Sequence, residues 1–204
     1  MHFDFAEFSP NQVYFTMTQT LVPRPIAWVL TENAAGDYNL APFSYFNAVC
    51  SDPPLVMLSI GRKPDGSPKD TRVNIEQRGH FVAHIAHREQ AKPMTESSAT
   101  LDYGDSELAR LGLETVPFQG FGLPRLADCR VAFACERYEI REIGNARQTL
   151  LLGLVRSVYV DDAAVTTDAK GRTKIDAARI DPLGRLGGGE YSTMEGVVTV
   201  PRPA

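Results

Sequence analysis

The chain has 204 residues, enough for one sizeable hydrophobic core, and it reads as a single domain over 1–204. Hydrophobic residues make up 43%, charged residues 23%, and the net charge is −4, which argues against the clustered basic surface of a nucleic-acid binder. No run of about 18 apolar residues offers a membrane-spanning helix, residues 1–7 lack the basic start and apolar stretch of a secretory signal, and three cysteines with no C-x-x-C pair point to a reducing, cytoplasmic setting.

In chain order, the first strong signal is Pro25-Ile26-Ala27-Trp28-Val29-Leu30-Thr31, an apolar extended run. Asn33-Ala34-Ala35-Gly36-Asp37 supplies turn chemistry, and an extended run resumes at Tyr38, so the pair predicts a hairpin. Pro53-Pro54 announces Leu55-Val56-Met57-Leu58-Ser59-Ile60, which is apolar at almost every position. A run apolar on both faces suits a strand buried in a barrel or sandwich. Residues 69–78 predict a helix stopped by Gly79. His80-Phe81-Val82-Ala83-His84-Ile85 predicts another strand, 86–99 a helix interrupted at Pro93, and 106–110 a short helix among loops.

Two long strands follow. In 131–142, Val131, Phe133 and Cys135 share one face while Ala132, Ala134 and Glu136 share the other, and 150–160 is the expected partner. The stretch 137–147 holds three arginines but also Glu139 and Glu142, with Glu136 just before it, so it reads as a solvated strand face. From 176 onward the chain reads as irregular, with Gly187-Gly188-Gly189 inside it. Strands outnumber helices, and an antiparallel barrel, closed or half-closed, with outer helices is the natural architecture.

Two segments suggest chemistry. Ala41-Pro42-Phe43-Ser44-Tyr45-Phe46-Asn47 interleaves aromatics with small polar residues, which suits the wall and rim of a site for a planar ligand. It equally suits a packing loop whose aromatics enter the core. Ser59-Ile60-Gly61-Arg62, followed by Ser67-Pro68-Lys69-Asp70-Thr71 at a helix start, suits an anion. Free N–H groups, the dipole, Arg62, Lys69 and Thr71 all favour a phosphate there, and Gly61 would allow close backbone approach. The plainer alternative is a capped helix with Asp70 as N-cap. Both segments flank one buried strand, so a ligand with a planar head and a phosphate tail could use both.

Arg24-Pro25-Ile26-Ala27-Trp28-Val29, Asn39 through Asn47, Asp52-Pro53-Pro54-Leu55-Val56-Met57-Leu58-Ser59-Ile60-Gly61, Lys69-Asp70-Thr71 and Asn74-Ile75 together resemble the flavin reductase-like, FMN-binding split-barrel family, nearest to the subgroup with the flavoredoxins. Asp181-Pro182-Leu183-Gly184-Arg185-Leu186-Gly187-Gly188 resembles it too. The resemblance implies a mainly β fold, a six-stranded split barrel with flanking helices, and a homodimer with FMN near its interface. It places Pro42, Phe43, Ser44, Tyr45, Phe46 and Asn47 along the isoalloxazine and ribityl chain. Ser59, Gly61, Arg62, Lys69, Asp70 and Thr71 would surround the phosphate, and Arg185 and Gly187 the substrate side.

The implied function is FMN-dependent electron transfer from NAD(P)H or a protein donor to a flavin, a metal complex or a partner protein. The alternative is a non-catalytic FMN-binding or electron-carrier module. No catalytic side chain is assigned. Relatives that use free flavin often carry a histidine near a glycine late in the chain; here His2, His80, His84 and His87 all lie early.

Other signals carry less. On a strand, His80 and His84 would stand about 13 Å apart, too far to share one metal ion bonded at about 2 Å. Gly187-Gly188-Gly189 has no strand leading into it, so it is no dinucleotide fingerprint. Cys50 reads as a small hydrophobe.

Overall fold

The computed structural model describes residues 1–168 and 170–200. Seven strands form one sheet: β1 (Ala27–Glu32), β2 (Tyr38–Phe43), β3 (Phe46–Ser51), β4 (Pro54–Ile60), β5 (His80–Ile85), β6 (Val131–Ile143) and β7 (Gln148–Val160). Their order is β2-β1-β5-β6-β7-β4-β3, and every neighbouring pair is antiparallel. The two edge strands, β2 and β3, are consecutive in the chain and are joined only by Ser44 and Tyr45. That short link forces the sheet to curl until its edges approach, and the Ser59 amide donates to the Tyr45 carbonyl at 2.8 Å across the junction. The result is a barrel with a split between β2 and β3.

The expected hairpin, the buried strand after Pro53 and the long β6–β7 pair are all present. The strand count is a correction, seven in place of six. The extra strand comes from 41–47, which the sequence suggested as a connection. Its first part extends β2 to Phe43, and Phe46 opens β3.

Both faces of β1 are covered, which explains a run with hardly a polar residue. Ala27 and Val29 point into the barrel with Phe43, Leu58, Ile60, Phe81 and Leu151. Trp28 and Leu30 point outward, into a second core with Met94, Phe118, Leu123 and Leu126. The second core is roofed by α3 (Ala91–Glu96), α4 (Glu107–Leu111) and the loops around them. The α2 helix (Asp70–Arg78) closes one end of the barrel by inserting Ile75. Gly79 ends it at φ 77°, a left-handed conformation that costs glycine little.

Three local readings change. Lys69, not Asp70, is the N-cap of α2, and its side chain makes no capping bond. Residues 88–90 form a 3-10 turn before α3, and Pro93 lies inside α3 near its start, where its missing N–H costs nothing. The tail from 176 is more ordered than its composition suggests. Residues 177–180 make a helical turn, and Gly184–Arg185 pairs with both Arg24–Pro25 and Tyr191–Ser192.

The sequence reading missed the helix α1 (Pro10–Thr20). Its signal was Ser9-Pro10-Asn11-Gln12: Ser9 and Gln12 form a reciprocal capping box with proline at the first helical position.

Candidate functional site

The α2 N-terminus opens into a cavity of about 50 Å³. The first bond of the helical ladder runs from the Val73 amide to the Lys69 carbonyl at 3.2 Å, leaving the N–H groups of Asp70, Thr71 and Arg72 without intrahelical acceptors. With no side-chain cap on Lys69, this end keeps its anion-binding capacity. Lys63 and Lys69 both line the cavity. Lys63 is paired with Asp70, Nζ to Oδ1 at 2.6 Å. The Lys69 ammonium stands 5.7 Å from the centroid of the Phe43 ring. Burial, then the nearby Lys63 charge, pull the Lys69 pKa below its usual value.

A buried polar network fixes this helix end against the β1–β2 hairpin. The Asn39 amide donates to Thr71 Oγ1 at 2.9 Å and to Thr31 Oγ1 at 3.2 Å. The Asn74 amide donates to Thr31 Oγ1 at 3.1 Å and to Asn33 Oδ1 at 2.8 Å. Because the Thr71 hydroxyl accepts from Asn39, its own proton remains available to a ligand. Pro42 walls one side of the cavity; Ser97, Ser98 and Glu107 wall another. Ser97 Oγ accepts from the Trp28 indole N–H at 2.8 Å and donates to the Met94 carbonyl at 2.8 Å, so the outer core sets that wall.

A second, larger cleft of about 740 Å³ lies on the other side of the β2–β3 junction. Ser44, Tyr45, Phe46, Asn47 and Ser59 line it, with Met17 and Leu21 at the α1 end and Ile143 and Leu150 on the barrel side. Arg24 braces its rim. The guanidinium donates to the carbonyls of Thr18 (2.5 Å) and Leu21 (2.7 Å) at the C-terminal end of α1, where a cation suits the helix dipole. It also reaches the Leu186 carbonyl (3.0 Å) and Ser44 Oγ (3.5 Å), so one residue joins helix, tail and cleft. Burial raises the Tyr45 pKa, with a smaller push from Tyr14, and keeps this phenol neutral.

Of the residues singled out in the sequence, Pro42, Lys69, Asp70 and Thr71 meet in the first cavity; Ser44, Tyr45, Phe46, Asn47 and Ser59 meet in the second. Phe43 lies between them inside the barrel, 7% exposed, with Lys69 above its ring. Tyr45 and Lys69 therefore line different clefts on either side of one junction. Arg62 turns away from both, bonding the Gly66 carbonyl and pairing with Glu142, each at 2.9 Å. A Cβ on Gly61 would meet the Gln148 amide at 3.7 Å, an ordinary contact. Arg185 stacks over Tyr191 at 4.7 Å, and a Cβ on Gly187 would strike Gln19 at 2.5 Å, so Gly187 lets the tail press against α1.

Lys63 and Glu107 went unread in the sequence, and Asn39 entered only as part of the motif 39–47, without a role. Lys63 follows Arg62 directly and was there to be noticed; Glu107 lies in the first turn of α4 after the Ser106 cap, where an acid suits the helix dipole without any ligand.

His84 is fully buried between the Trp28 carbonyl (2.9 Å from Nδ1) and the Leu126 amide (3.0 Å from Nε2), and His87 is packed against the Asp128 carbonyl (3.0 Å). Both are structural.

A split barrel with an open helix end beside its seam defines a class of protein, and comparison with known proteins identifies it. Residues 18–174 match the model of the flavin reductase like domain, and the chain belongs to that family. Among solved structures, it is similar to nitrilotriacetate monooxygenase component B from Bacillus cereus, with 28% identity, a TM-score of 0.88 and 98% of each chain covered. It is also similar to the 2-nitrobenzoate 2-nitroreductase NbaA of Pseudomonas fluorescens, at 28% identity and a TM-score of 0.87, covering 100% of this chain and 96% of that one. The flavoredoxin of Desulfovibrio vulgaris shares the fold, at 22% identity and a TM-score of 0.73 over 88% of this chain and 91% of that one.

Proposed function

We propose that this protein binds FMN and works as a homodimeric oxidoreductase, passing electrons from NAD(P)H or a protein donor to a flavin, a metal complex or a partner protein. The observation that carries the reading is the start of α2, which has no side-chain cap and where Thr71 and two lysines line one small cavity. That donor set fits a terminal phosphate, which brings about two negative charges and three acceptor oxygens. Membership of the flavin reductase like family supports a flavin as that ligand.

In this reading Lys63, Lys69 and Thr71 hold the phosphate, and Pro42 confines the chain that leads from it. Ser44, Tyr45, Phe46 and Asn47 offer the apolar, hydrogen-bonding surface for the ring. A neutral Tyr45 can donate a hydrogen bond without adding charge. FMN, when bound, supplies the capacity to accept a hydride and hand its electrons on. The protein's share is to anchor the cofactor, keep one ring face accessible and exclude bulk water.

The second copy is supported by the β3 edge, where Val49 is 51% exposed beside a large apolar cleft. A protein partner is supported by the Bacillus cereus relative, which is one component of a monooxygenase. The carrier alternative draws on the histidines: among the described residues, none lines either cleft.

The test is FMN titration followed by visible spectroscopy. The double variant Lys69→Ala/Thr71→Ala should weaken binding by about 2–4 kcal/mol, as expected for lost charge-assisted hydrogen bonds. Unchanged affinity would put the phosphate elsewhere. Anaerobic mixing with NADH or NADPH then tests the donor: bleaching of the bound flavin supports the NAD(P)H-dependent reductase, and no bleaching with either leaves a protein donor or the carrier role.

A further inference from the structure

Glu107 is a buried carboxylate in a cavity otherwise built to take an anion. It is 6% exposed, and its Oε2 accepts the Leu40 amide at 2.9 Å, which pins the side chain to β2. It lines the same cavity as Lys63, Lys69 and Asp70. Among the described residues, no other ionisable one lines that cavity. If all four groups are ionised, the two lysines are balanced by two carboxylates, and one of those lysines is already committed to Asp70 at 2.6 Å. A cavity that is neutral overall is a poor partner for a dianion.

We propose that the Glu107 carboxyl takes up a proton from solvent as a phosphate monoester enters, turning a repelling carboxylate into a hydrogen-bonding carboxylic acid. Glu107 thereby couples binding of the phosphorylated ligand, and not of its uncharged counterpart, to the uptake of one proton. The inference rests on the phosphate reading of this cavity and concerns how the cavity manages charge. Protonation leaves one oxygen free to keep the Leu40 amide, so the side chain need not move. Two features prepare Glu107 for this. Desolvation already raises its pKa, opposed by its bond from Leu40, and the Asp70 charge raises it further while Lys63 lowers it. An incoming dianion acts in the same direction as Asp70.

Lys69 is the rival source of a linked proton, since burial lowers its pKa and a phosphate would raise it again. The two are separable by substitution. Calorimetric titration with FMN should be run at about pH 8, where the ester's second ionisation is complete. Buffers of different ionisation enthalpy then report the protons taken up on binding. Wild-type protein should take up a fraction of a proton, and its affinity should fall as pH rises, by at most about tenfold per pH unit for one linked proton. Glu107→Gln keeps an acceptor for the Leu40 amide and should lose both the uptake and the slope. Riboflavin, without a phosphate, should induce no uptake in either protein. Equal uptake by wild type and Glu107→Gln would assign the proton to Lys69 and overturn the proposal.

Inorganic phosphate provides a probe that does not depend on the flavin. Above about pH 8, where inorganic phosphate is mostly the dianion, its effect on the melting temperature should weaken with rising pH more steeply in wild type than in Glu107→Gln. If FMN fails to bind but this difference persists, the flavin reading falls and the Glu107 inference stands. If neither ligand binds, both fall.

Discussion

Gly153 lies where β7 crosses the barrel, paired with Val56 on β4 and Arg137 on β6. A Cβ built there would stand 2.5 Å from Phe81 Cζ, 2.9 Å from Cε1 and 3.4 Å from a Val56 methyl. The first two distances are well inside van der Waals contact. Phe81 is fully buried in the barrel core with Ala83, Cys135 and Leu151, so its rigid ring has nowhere to retreat. Gly153→Ala therefore overpacks the core, at a cost of about 1–3 kcal/mol. Loss of the flexible glycine from the unfolded chain returns about 0.4–1 kcal/mol. A net loss of about 1–2 kcal/mol lowers the melting temperature by about 2–8 °C in a domain of this size. Thermal unfolding followed by circular dichroism measures it directly. Adding Phe81→Leu should make the double variant less unstable than the sum of the singles, because the two sites share one volume. An unchanged or higher melting temperature for Gly153→Ala would refute the claim that the ring fixes this position.

Two other outcomes can be checked on the same protein. Burial holds the His84 pKa down at about 4, against 6.5 when free. Nδ1–H donates to Trp28 and Nε2 accepts from Leu126, so a second ring proton would point at an amide N–H. The unfolded chain therefore binds more protons between those values, and stability falls as pH drops from about 6.5 to about 4. The loss totals about 3 kcal/mol; denaturant unfolding across that range should show it, and His84→Gln should flatten that limb of the profile. Asn74→Ala strips Thr31 and Asn33 of a buried donor and should cost about 1–3 kcal/mol. It should also weaken FMN binding, since α2 keeps only the Asn39–Thr71 bond of this network; a stable variant with unchanged affinity would show that Asn74 does not position the helix.

Much of the barrel was legible in the chain because burial on two faces leaves a plain mark. The run at 26–30 is apolar at consecutive positions and is covered on both faces, whereas in 55–60 Val56, Leu58 and Ile60 enter the barrel core and Met57 and Ser59 line the second cleft. The second half of the 41–47 segment was not legible as strand. Its last residues pair only with β4 and otherwise face the open edge, so exposure from Asn47 to Ser51 erased the hydrophobic pattern. Lys69 and Thr71 could be suspected from their place at a helix start. Lys63, Asn39 and Glu107 reach the cavity from a loop, a strand and another helix, and their meeting depends on the fold rather than on any spacing along the chain.

The sequence by itself determined the kind of fold, through strand runs whose periodicity and punctuation are local properties of the chain. It also determined the donor chemistry at the start of α2, since a helix end with lysine and threonine needs no distant partner to be recognised. Tertiary structure decided the closure of the barrel, because the β2 and β3 edges belong to one sheet only through the pairing of β1, β5, β6, β7 and β4, which lie far apart in the chain. It likewise turned Arg62 away toward Glu142, 80 residues along the chain, and brought Glu107 in to face the lysines. Which charges meet is set by distances in space, and a one-dimensional pattern does not encode them.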